Sequence, residues 1–172
     1  MHIRPKYRKE GDLKEVLIVD DHELVRTGLT QILQELPDIK VTGQAEDAEQ
    51  AWNLINLNHY DLVIVDISLK QMTGIQLTEK IKSKYPHLPV LIVSIHDESL
   101  YARRSLRSGA RGYVAKSEPA ETILDAVNQI IAGKIYLSGR MLEHFRSTMH
   151  ESVPDPEIPD IVFDTQGYDI LF

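Results

Sequence analysis

The sequence predicts an α/β fold in which five parallel strands alternate with five helices that cover both faces of one doubly wound sheet. The strongest observation is the run Leu62–Asp66, which is apolar except for its last residue and rich in β-branched side chains. So short and unbroken a run is typical of a strand that is buried on both faces. Similar runs alternate with segments of helical apolar spacing, and this alternation implies right-handed βαβ units and a parallel sheet.

The five predicted strands are short segments that end at polar or turn-forming residues. They cover residues 16–19, 39–44, 62–66, 89–94 and 112–115. The second of them alternates between apolar and polar residues, as strands do, and the other four are mainly apolar. Each strand therefore leads directly into a polar or turn-forming segment.

The five predicted helices carry apolar residues at intervals of three or four positions. They cover residues 24–36, 46–57, 75–85, 98–108 and 119–132. Proline ends the first and the third, and Gly109 is predicted to end the fourth. The fourth helix is the weakest, because only Leu100, Ala102 and Leu106 anchor it among several arginines.

The alternation stops near Gly133, so the main domain is predicted to cover residues 14–134. Residues 135–150 are predicted to be a linker, with an extended segment and then a helix that Ser138 caps. The apolar side of this helix is expected to lie outside the main core and to pack either on the body or on a second copy; it consists of Met141, Leu142, Phe145 and Met149. Residues 151–172 are predicted to be a proline-containing tail that is flexible in isolation or paired as a hairpin around 164–167.

Composition excludes several classes of protein. The chain has no cysteine, which rules out disulfides and thiolate sites, and no apolar run reaches the length of a membrane span. The net charge is −7, of which the tail 151–172 carries −6, so the nearly neutral body lacks a basic nucleic-acid surface. The first residues show no secretory signal, and we expect a soluble cytoplasmic protein.

Polar side chains follow four of the predicted strands. Asp20 and Asp21 follow the first strand, and Asp66 ends the third. Ser94 ends the fourth, and Lys116 follows the fifth. The carboxyl ends of parallel strands meet at one edge of the sheet, where ligands bind in open α/β proteins.

This set of residues favours phosphoryl transfer. Three carboxylates repel one another unless a hard cation lies among them, and oxygen ligands suit Mg²⁺. Lys116 and Ser94 supply a positive charge and a hydrogen-bond donor for phosphoryl oxygens. The sequence therefore predicts that Asp66 accepts a phosphoryl group as the nucleophile, with charge neutralisation as the main source of catalysis.

Several short motifs, each at a strand end, together resemble the receiver domain of bacterial two-component response regulators. They are Val19-Asp20-Asp21-His22, Val65-Asp66, Val93-Ser94-Ile95-His96-Asp97, Gly109-Ala110-Arg111-Gly112-Tyr113 and Val114-Ala115-Lys116. The resemblance covers roughly residues 14–133 and implies a flavodoxin-like (βα)5 fold with strand order 2-1-3-4-5. It also implies that Asp66 is the phosphoacceptor.

The resemblance implies roles for the other polar residues. Asp20 and Asp21 would bind Mg²⁺ together with Asp66 and the backbone carbonyl of Ser68. Ser94 and Lys116 would contact the phosphoryl oxygens. Ser94 and Tyr113 would form the switch, in which the aromatic ring swings inward; a packed aromatic without that role is the alternative for Tyr113.

The implied partners are a histidine kinase or a small acyl phosphate as phosphodonor, and a second copy or another protein as the target of the switch. The chain would not be an enzyme with a separate substrate, since it catalyses transfer onto its own aspartate. In the family this phosphorelay serves transcription. No direct contact with nucleic acid or membrane is expected for this chain.

Finer motifs resemble the NarL/FixJ (LuxR-type) subfamily, in which a linker helix and a DNA-binding helix-turn-helix follow the receiver. They are Asp21-His22-Glu23, Val25-Arg26-Thr27-Gly28-Leu29 and Gly133-Lys134-Ile135-Tyr136-Leu137-Ser138. This sequence lacks paired helices with a basic recognition helix after Met149, so the output domain is truncated, replaced or missing. Ser117 stands where the family often has proline.

Two other functions stay open. The first is a phosphorylation-independent interaction module on the same fold, which the retained acidic set disfavours. The second is a phosphatase or phosphotransferase, but the haloacid-dehalogenase type requires an acid where this chain has Ser68. His22 and His96 lie near the site and are interpreted as solvated loop histidines.

Overall fold

A parallel sheet forms the centre of the computed structural model. Its strands are β1 (Lys14–Val19), β2 (Ile39–Ala45), β3 (Leu62–Val65), β4 (Val90–Ser94) and β5 (Gly112–Ala115). They pair in parallel in the order β2-β1-β3-β4-β5, which confirms the predicted fold class and strand order. The structure describes residues 11–150, 161–163 and 169–171, with side chains for 11–147.

Helices connect the strands and cover both faces of the sheet. They are α1 (Glu23–Leu33), α2 (Ala48–Leu57), α3 (Gly74–Lys84), α4 (Glu98–Arg107) and α5 (Ala120–Ile131), followed by α6 (Gly139–His150). Each of the first five begins and ends within a few residues of its predicted bounds. Gly109 follows α4 with a φ of 99°, a left-handed conformation that glycine adopts without steric cost, which confirms the predicted helix end.

Strand β3 divides the core into two apolar clusters, one on each face of the sheet. Val63 and Val65 belong to the cluster that also contains residues of α2, α3 and α4, whereas Leu62 and Ile64 belong to the cluster beside α1 and α5. All four side chains are at most 1% exposed. Burial on both faces is the reason for the continuous apolar run in the sequence, and it gives the residue that follows β3 a rigid support.

One prediction about an apolar residue was wrong. Leu100 does not anchor α4, because its side chain is 68% exposed. The helix instead packs through small buried residues, Ala102 and Ser105, and Ser105 satisfies its hydroxyl by donating to the carbonyl of Tyr101 at 2.8 Å.

The linker packs on the body of the domain, which corrects the expectation that its apolar residues lie outside the main core. Met141 is 7% exposed and belongs to the cluster on the α4 face, and Leu142 and Phe145 pack against that cluster. The side chain of Met149 lies outside the described part of the chain. The sequence left open whether the apolar side of this helix packs on the body or on a second copy. In the structure it packs on the body.

An extended segment, Ile135–Leu137, leads into α6 along the outer side of β5. Tyr136 bridges to Gly112 in parallel, and its backbone N–H donates to the Arg111 carbonyl at 2.8 Å. Ser138 then caps α6, since its Oγ accepts from the backbone N–H of Met141 at 3.2 Å. The same hydroxyl donates to Glu98 at the start of α4, so one side chain joins the two helices.

We expect Ser138→Ala to lower the free energy of unfolding by about 1 kcal/mol, because an N-cap bond and a bond to a carboxylate are both lost. Urea unfolding followed by circular dichroism measures this change. Ser117→Ala is the control, since Ser117 is exposed in the turn after β5. Equal stabilities of the two variants would contradict the joining role of Ser138.

In the tail, two short strands, β6 (Ile161–Phe163) and β7 (Asp169–Leu171), pair antiparallel. This pairing matches the hairpin alternative, although the turn at 164–167 lies outside the described residues. Tail flexibility stays a prediction. In the described part of the chain, no helix is both long enough and apolar enough to span a membrane.

Candidate acidic site at the carboxyl edge of the sheet

The structure brings the predicted polar residues together at the carboxyl edge of the sheet. Backbone hydrogen bonds continue past the ends of the strands: the N–H of Asp66 donates to Val19 at 2.9 Å, and that of Asp20 donates to Ala45 at 3.1 Å. The carboxylates of Asp20 and Asp66 therefore stand on neighbouring strands. Both residues are buried, with 1% and 3% exposure.

Lys116 joins these two carboxylates from the end of β5. Its Nζ lies 2.6 Å from Asp20 Oδ2 and 3.4 Å from Asp66 Oδ2. The lysine side chain is 15% exposed, so its charge acts in a partly desolvated pocket where electrostatic interactions are stronger than in water. One positive charge thus faces two buried negative charges.

Asp66 retains an unused oxygen. Among the described residues, its Oδ1 is buried without a hydrogen-bond partner. Burial raises the pKa of the Asp66 carboxyl above its ordinary value; Lys116 lowers it, and Asp20 raises it further. A buried, incompletely neutralised carboxylate is a site at which an additional cation or an electrophile is stabilised.

A group of four side chains provides ligand atoms for a metal ion. Asp20, Asp21, His22 and Asp66 each offer one such atom, and these atoms all lie within 4.8 Å of one another. The three carboxylates are those predicted from the sequence. His22 was not predicted to contribute, and its imidazole lies 2.8 Å from Asp21 Oδ1.

Ser68 lies in the loop after β3, two residues after Asp66. The Ser68 backbone lowers the pKa of the Asp66 carboxyl, a smaller effect than the rise that burial causes. The Oγ of Ser68 forms a hydrogen bond of 2.7 Å with His96 Nε2. The predicted role of the Ser68 carbonyl as a metal ligand stays a prediction.

Tyr113 is fully buried, with its ring in the inward position. Its hydroxyl donates to the carbonyl of His96 at 2.6 Å, and the N–H of His96 donates to Ser94 Oγ at 3.2 Å. Burial raises the pKa of Tyr113 to about 12, so its hydroxyl keeps its proton near neutral pH and remains a donor. Ser94 and Tyr113, the predicted switch pair, are therefore linked through one residue.

Besides His22, the sequence analysis missed two residues of this site. His96 was interpreted as solvated, yet it bonds to Ser68 and Tyr113 and its ring lies 4.7 Å from that of Tyr101. Gly74 was assigned no role in the site, yet a Cβ on it would lie 2.0 Å from the Asp66 carbonyl oxygen. The Thr73-Gly74 pair between a strand and a helix was the available signal, because glycine permits such a close approach.

Sequence comparison relates the chain to known proteins. Residues 16–128 match the family described as the response regulator receiver domain. The transcriptional regulatory protein DegU of Brevibacillus brevis is 30% identical over 158 residues, which cover 90% of this chain and 66% of DegU. The response regulator GacA of Pseudomonas aeruginosa is 32% identical, over 80% of this chain and 67% of GacA. The chain thus spans about two thirds of the length of these relatives.

Structural comparison gives the same relationship. A two-component response regulator of the LuxR family from Aurantimonas superposes with a TM-score of 0.75 at 28% identity, over 81% of this chain and 99% of that one. The receiver domain of the Francisella response regulator 1452 superposes with a TM-score of 0.64 at 27% identity, over 69% of this chain and 97% of that one.

Proposed function

Because this chain belongs to the response regulator receiver family, we propose that it accepts a phosphoryl group on Asp66 in a two-component phosphorelay. Family membership agrees with the resemblance found in the sequence, including its relatives of the LuxR type. The observation that supports the proposal most directly is the Asp66 carboxylate, which is 3% exposed, has an oxygen without a partner among the described residues, and stands beside Lys116.

In the proposed reaction, a carboxylate oxygen of Asp66 attacks the phosphorus of the donor. The new Asp66 oxygen–phosphorus bond forms as the bond between phosphorus and the leaving group breaks, and the leaving group departs with its electron pair. Lys116 lies 3.4 Å from Asp66 and neutralises charge on the phosphoryl oxygens. Ser94 offers a hydroxyl to a further oxygen.

The acidic group fits Mg²⁺, which supplies charge neutralisation for the transfer when bound. Asp20, Asp21 and Asp66 would hold the ion, since all three offer carboxylate oxygens within one small cluster. The unpartnered oxygen of Asp66 and the raised pKa of its carboxyl support this assignment. The Ser68 carbonyl is the proposed fourth ligand.

The proposed output is a change in the surface formed by α4 and β5. The hydrogen bonds of His96 link the Asp66 side, through Ser68, with Ser94 and Tyr113. A phosphoryl group on Asp66 adds about −1.5 to −2 charge near these residues. We propose that this charge changes the hydrogen bonds that Ser94 and Tyr113 form. We propose that a histidine kinase is the donor, that dimerisation or partner binding is the response, and that transcription is the process served.

A second candidate function is a phosphorylation-independent interaction module. One observation favours it: Tyr113 is buried, with its ring inward and its hydroxyl bonded to the His96 carbonyl. If that position already presents the binding surface, phosphorylation would change little.

Incubation with Mg²⁺ and acetyl phosphate distinguishes the two candidates. We expect intact mass spectrometry to show one added phosphoryl group, and expect chelation of Mg²⁺ to prevent it. Size-exclusion chromatography of the same samples tests dimerisation. Absence of an adduct at every Mg²⁺ concentration would reject the phosphoacceptor proposal and leave the interaction module.

A further inference from the structure

The imidazole of His22 lies directly against the acidic group and contacts two of its carboxylates. Its Nδ1 is 2.8 Å from Asp21 Oδ1 and 3.3 Å from Asp20 Oδ1. His22 is the N-cap residue of α1, a position where side chains usually accept from the first free N–H groups. Its side chain forms no such cap bond. The ring therefore faces two carboxylates instead of the helix.

The second observation is the buried oxygen of Asp66. Asp66 is 3% exposed, its Oδ1 has no partner among the described residues, and it belongs to the same four-residue group as His22. A buried anionic oxygen without a partner is costly unless a cation reaches it. Lys116 contacts the other oxygen of this carboxylate, which leaves Oδ1 available to a cation from solution.

A second histidine–carboxylate pair shows that proximity alone does not make such a site. His59 Nε2 lies 3.3 Å from Asp61 Oδ1, a distance like that between His22 and Asp20. Asp61 uses its other oxygen to accept from the backbone N–H of Glu15 at 2.7 Å. No third ligand group joins this pair among the described residues, whereas His22 is joined by three carboxylates.

We propose that His22 is a fourth side-chain ligand of the acidic site, and that the site binds divalent ions that accept imidazole, such as Zn²⁺, Co²⁺ and Ni²⁺. This inference rests on the proposed function, since it concerns the pocket assigned to Mg²⁺. It adds a nitrogen ligand that the oxygen-only assignment does not contain.

The donor atoms determine which ions benefit from His22. Mg²⁺ prefers oxygen ligands and retains several waters, so the imidazole adds little to its binding. Zn²⁺, Co²⁺ and Ni²⁺ bind imidazole well and bind mixed nitrogen and oxygen sites more tightly than Mn²⁺ does. In the structure Nδ1 faces carboxylate oxygens, which only accept, so binding of an ion through Nδ1 requires the neutral tautomer with its proton on Nε2. The His22 side chain is 67% exposed, so this proton can be solvated. Because both kinds of ion use the same carboxylates, they compete.

The test uses the full chain, Zn²⁺ as the probe, and the variants His22→Gln and His59→Gln. Calorimetric titration gives the affinities for Zn²⁺ and Mg²⁺. We expect His22→Gln to weaken Zn²⁺ binding at least tenfold, a loss on the order of that seen on altering metal-site residues, and to leave Mg²⁺ affinity within about twofold. His59→Gln should leave both affinities unchanged.

Imidazole ¹⁵N spectra supply a readout that does not depend on phosphorylation. One equivalent of Zn²⁺ should shift one ring nitrogen, and the signal that disappears in His22→Gln identifies it. Excess Mg²⁺ should reverse the shift. Equal Zn²⁺ affinities of the parent chain and His22→Gln, or a shift at another histidine, would overturn the inference. Failure of the parent chain to bind Mg²⁺ would instead contradict the proposed function.

Discussion

Asp66→Asn is expected to abolish the Mg²⁺-dependent phosphoryl adduct completely, because the amide is not a nucleophile for this transfer. The side chain is nearly the same in shape, so the buried pocket beneath it should keep its structure. Intact mass spectrometry after incubation with acetyl phosphate measures the loss. Asp38→Asn is the matched control, since Asp38 is an exposed acid that precedes β2 at the opposite edge of the sheet. An adduct that persists in Asp66→Asn would place the acceptor elsewhere.

The same variant should be more stable than the parent chain near neutral pH. The pKa of the Asp66 carboxyl is raised above its ordinary 3.8, mainly by burial, so the folded state disfavours the charged form. The stability that protonated Asp66 contributes is therefore present below pH 3.8 and is lost as pH rises through the raised pKa. The amide introduced by Asp66→Asn does not titrate, so the advantage of the variant should be largest above that raised pKa and should vanish below 3.8.

Urea unfolding of both proteins between acidic and neutral pH, without divalent ions, measures this difference. Added Mg²⁺ should then stabilise the parent chain more than the variant, because a ligand stabilises the state that binds it. A variant that is less stable at every pH would show that the charge of Asp66 is well compensated in the fold.

Gly74→Ala is the second change with a large expected effect. The new Cβ would lie 2.0 Å from the carbonyl oxygen of Asp66 and 2.8 Å from its carbonyl carbon, and neither backbone atom can rotate away as a side chain would. The loop between β3 and α3 must shift instead. We expect a loss of about 3 kcal/mol in the free energy of unfolding, at the upper end of the usual cost of overpacking.

The shift should also displace Asp66, the proposed phosphoacceptor. A displacement of about 1 Å costs as much as about 10²-fold in rate, so we expect phosphorylation of Gly74→Ala to slow at least tenfold. Stopped time courses of adduct formation measure this rate. Gly28→Ala is the control: Gly28 lies within α1 and a Cβ there meets no atom within 4 Å. This substitution should be neutral or stabilising, since alanine favours the helix. Equal behaviour of the two variants would contradict the close-approach role of Gly74.

The predictable part of the fold is encoded locally. The strand at 62–66 could be predicted from its own residues, because burial on both faces requires apolar side chains along the strand. The positions of Asp20, Asp66 and Lys116 followed from the same logic, since each comes directly after a strand of a parallel sheet. The strand order came from the resemblance alone, because hydrophobic runs do not encode which strand pairs with which.

The remaining features depend on how elements are oriented in space. Leu100 fits the apolar spacing of a helix, but only the rotation of α4 on the sheet decides that it faces water. His96 bonds to residues that are distant in the sequence: Ser68 is 28 positions away and Tyr113 is 17 positions away. The packing of Met141 depended in the same way on the path of the linker.

The segment 135–137 along β5 also affects how the protein behaves at high concentration. An uncovered edge strand presents free N–H and C=O groups that can pair with the strand of another molecule. Here Tyr136 occupies part of that edge, bridging to Gly112 and bonding to the carbonyl of Arg111. We therefore expect the linker to hinder strand-to-strand aggregation, since its release would uncover the edge of β5.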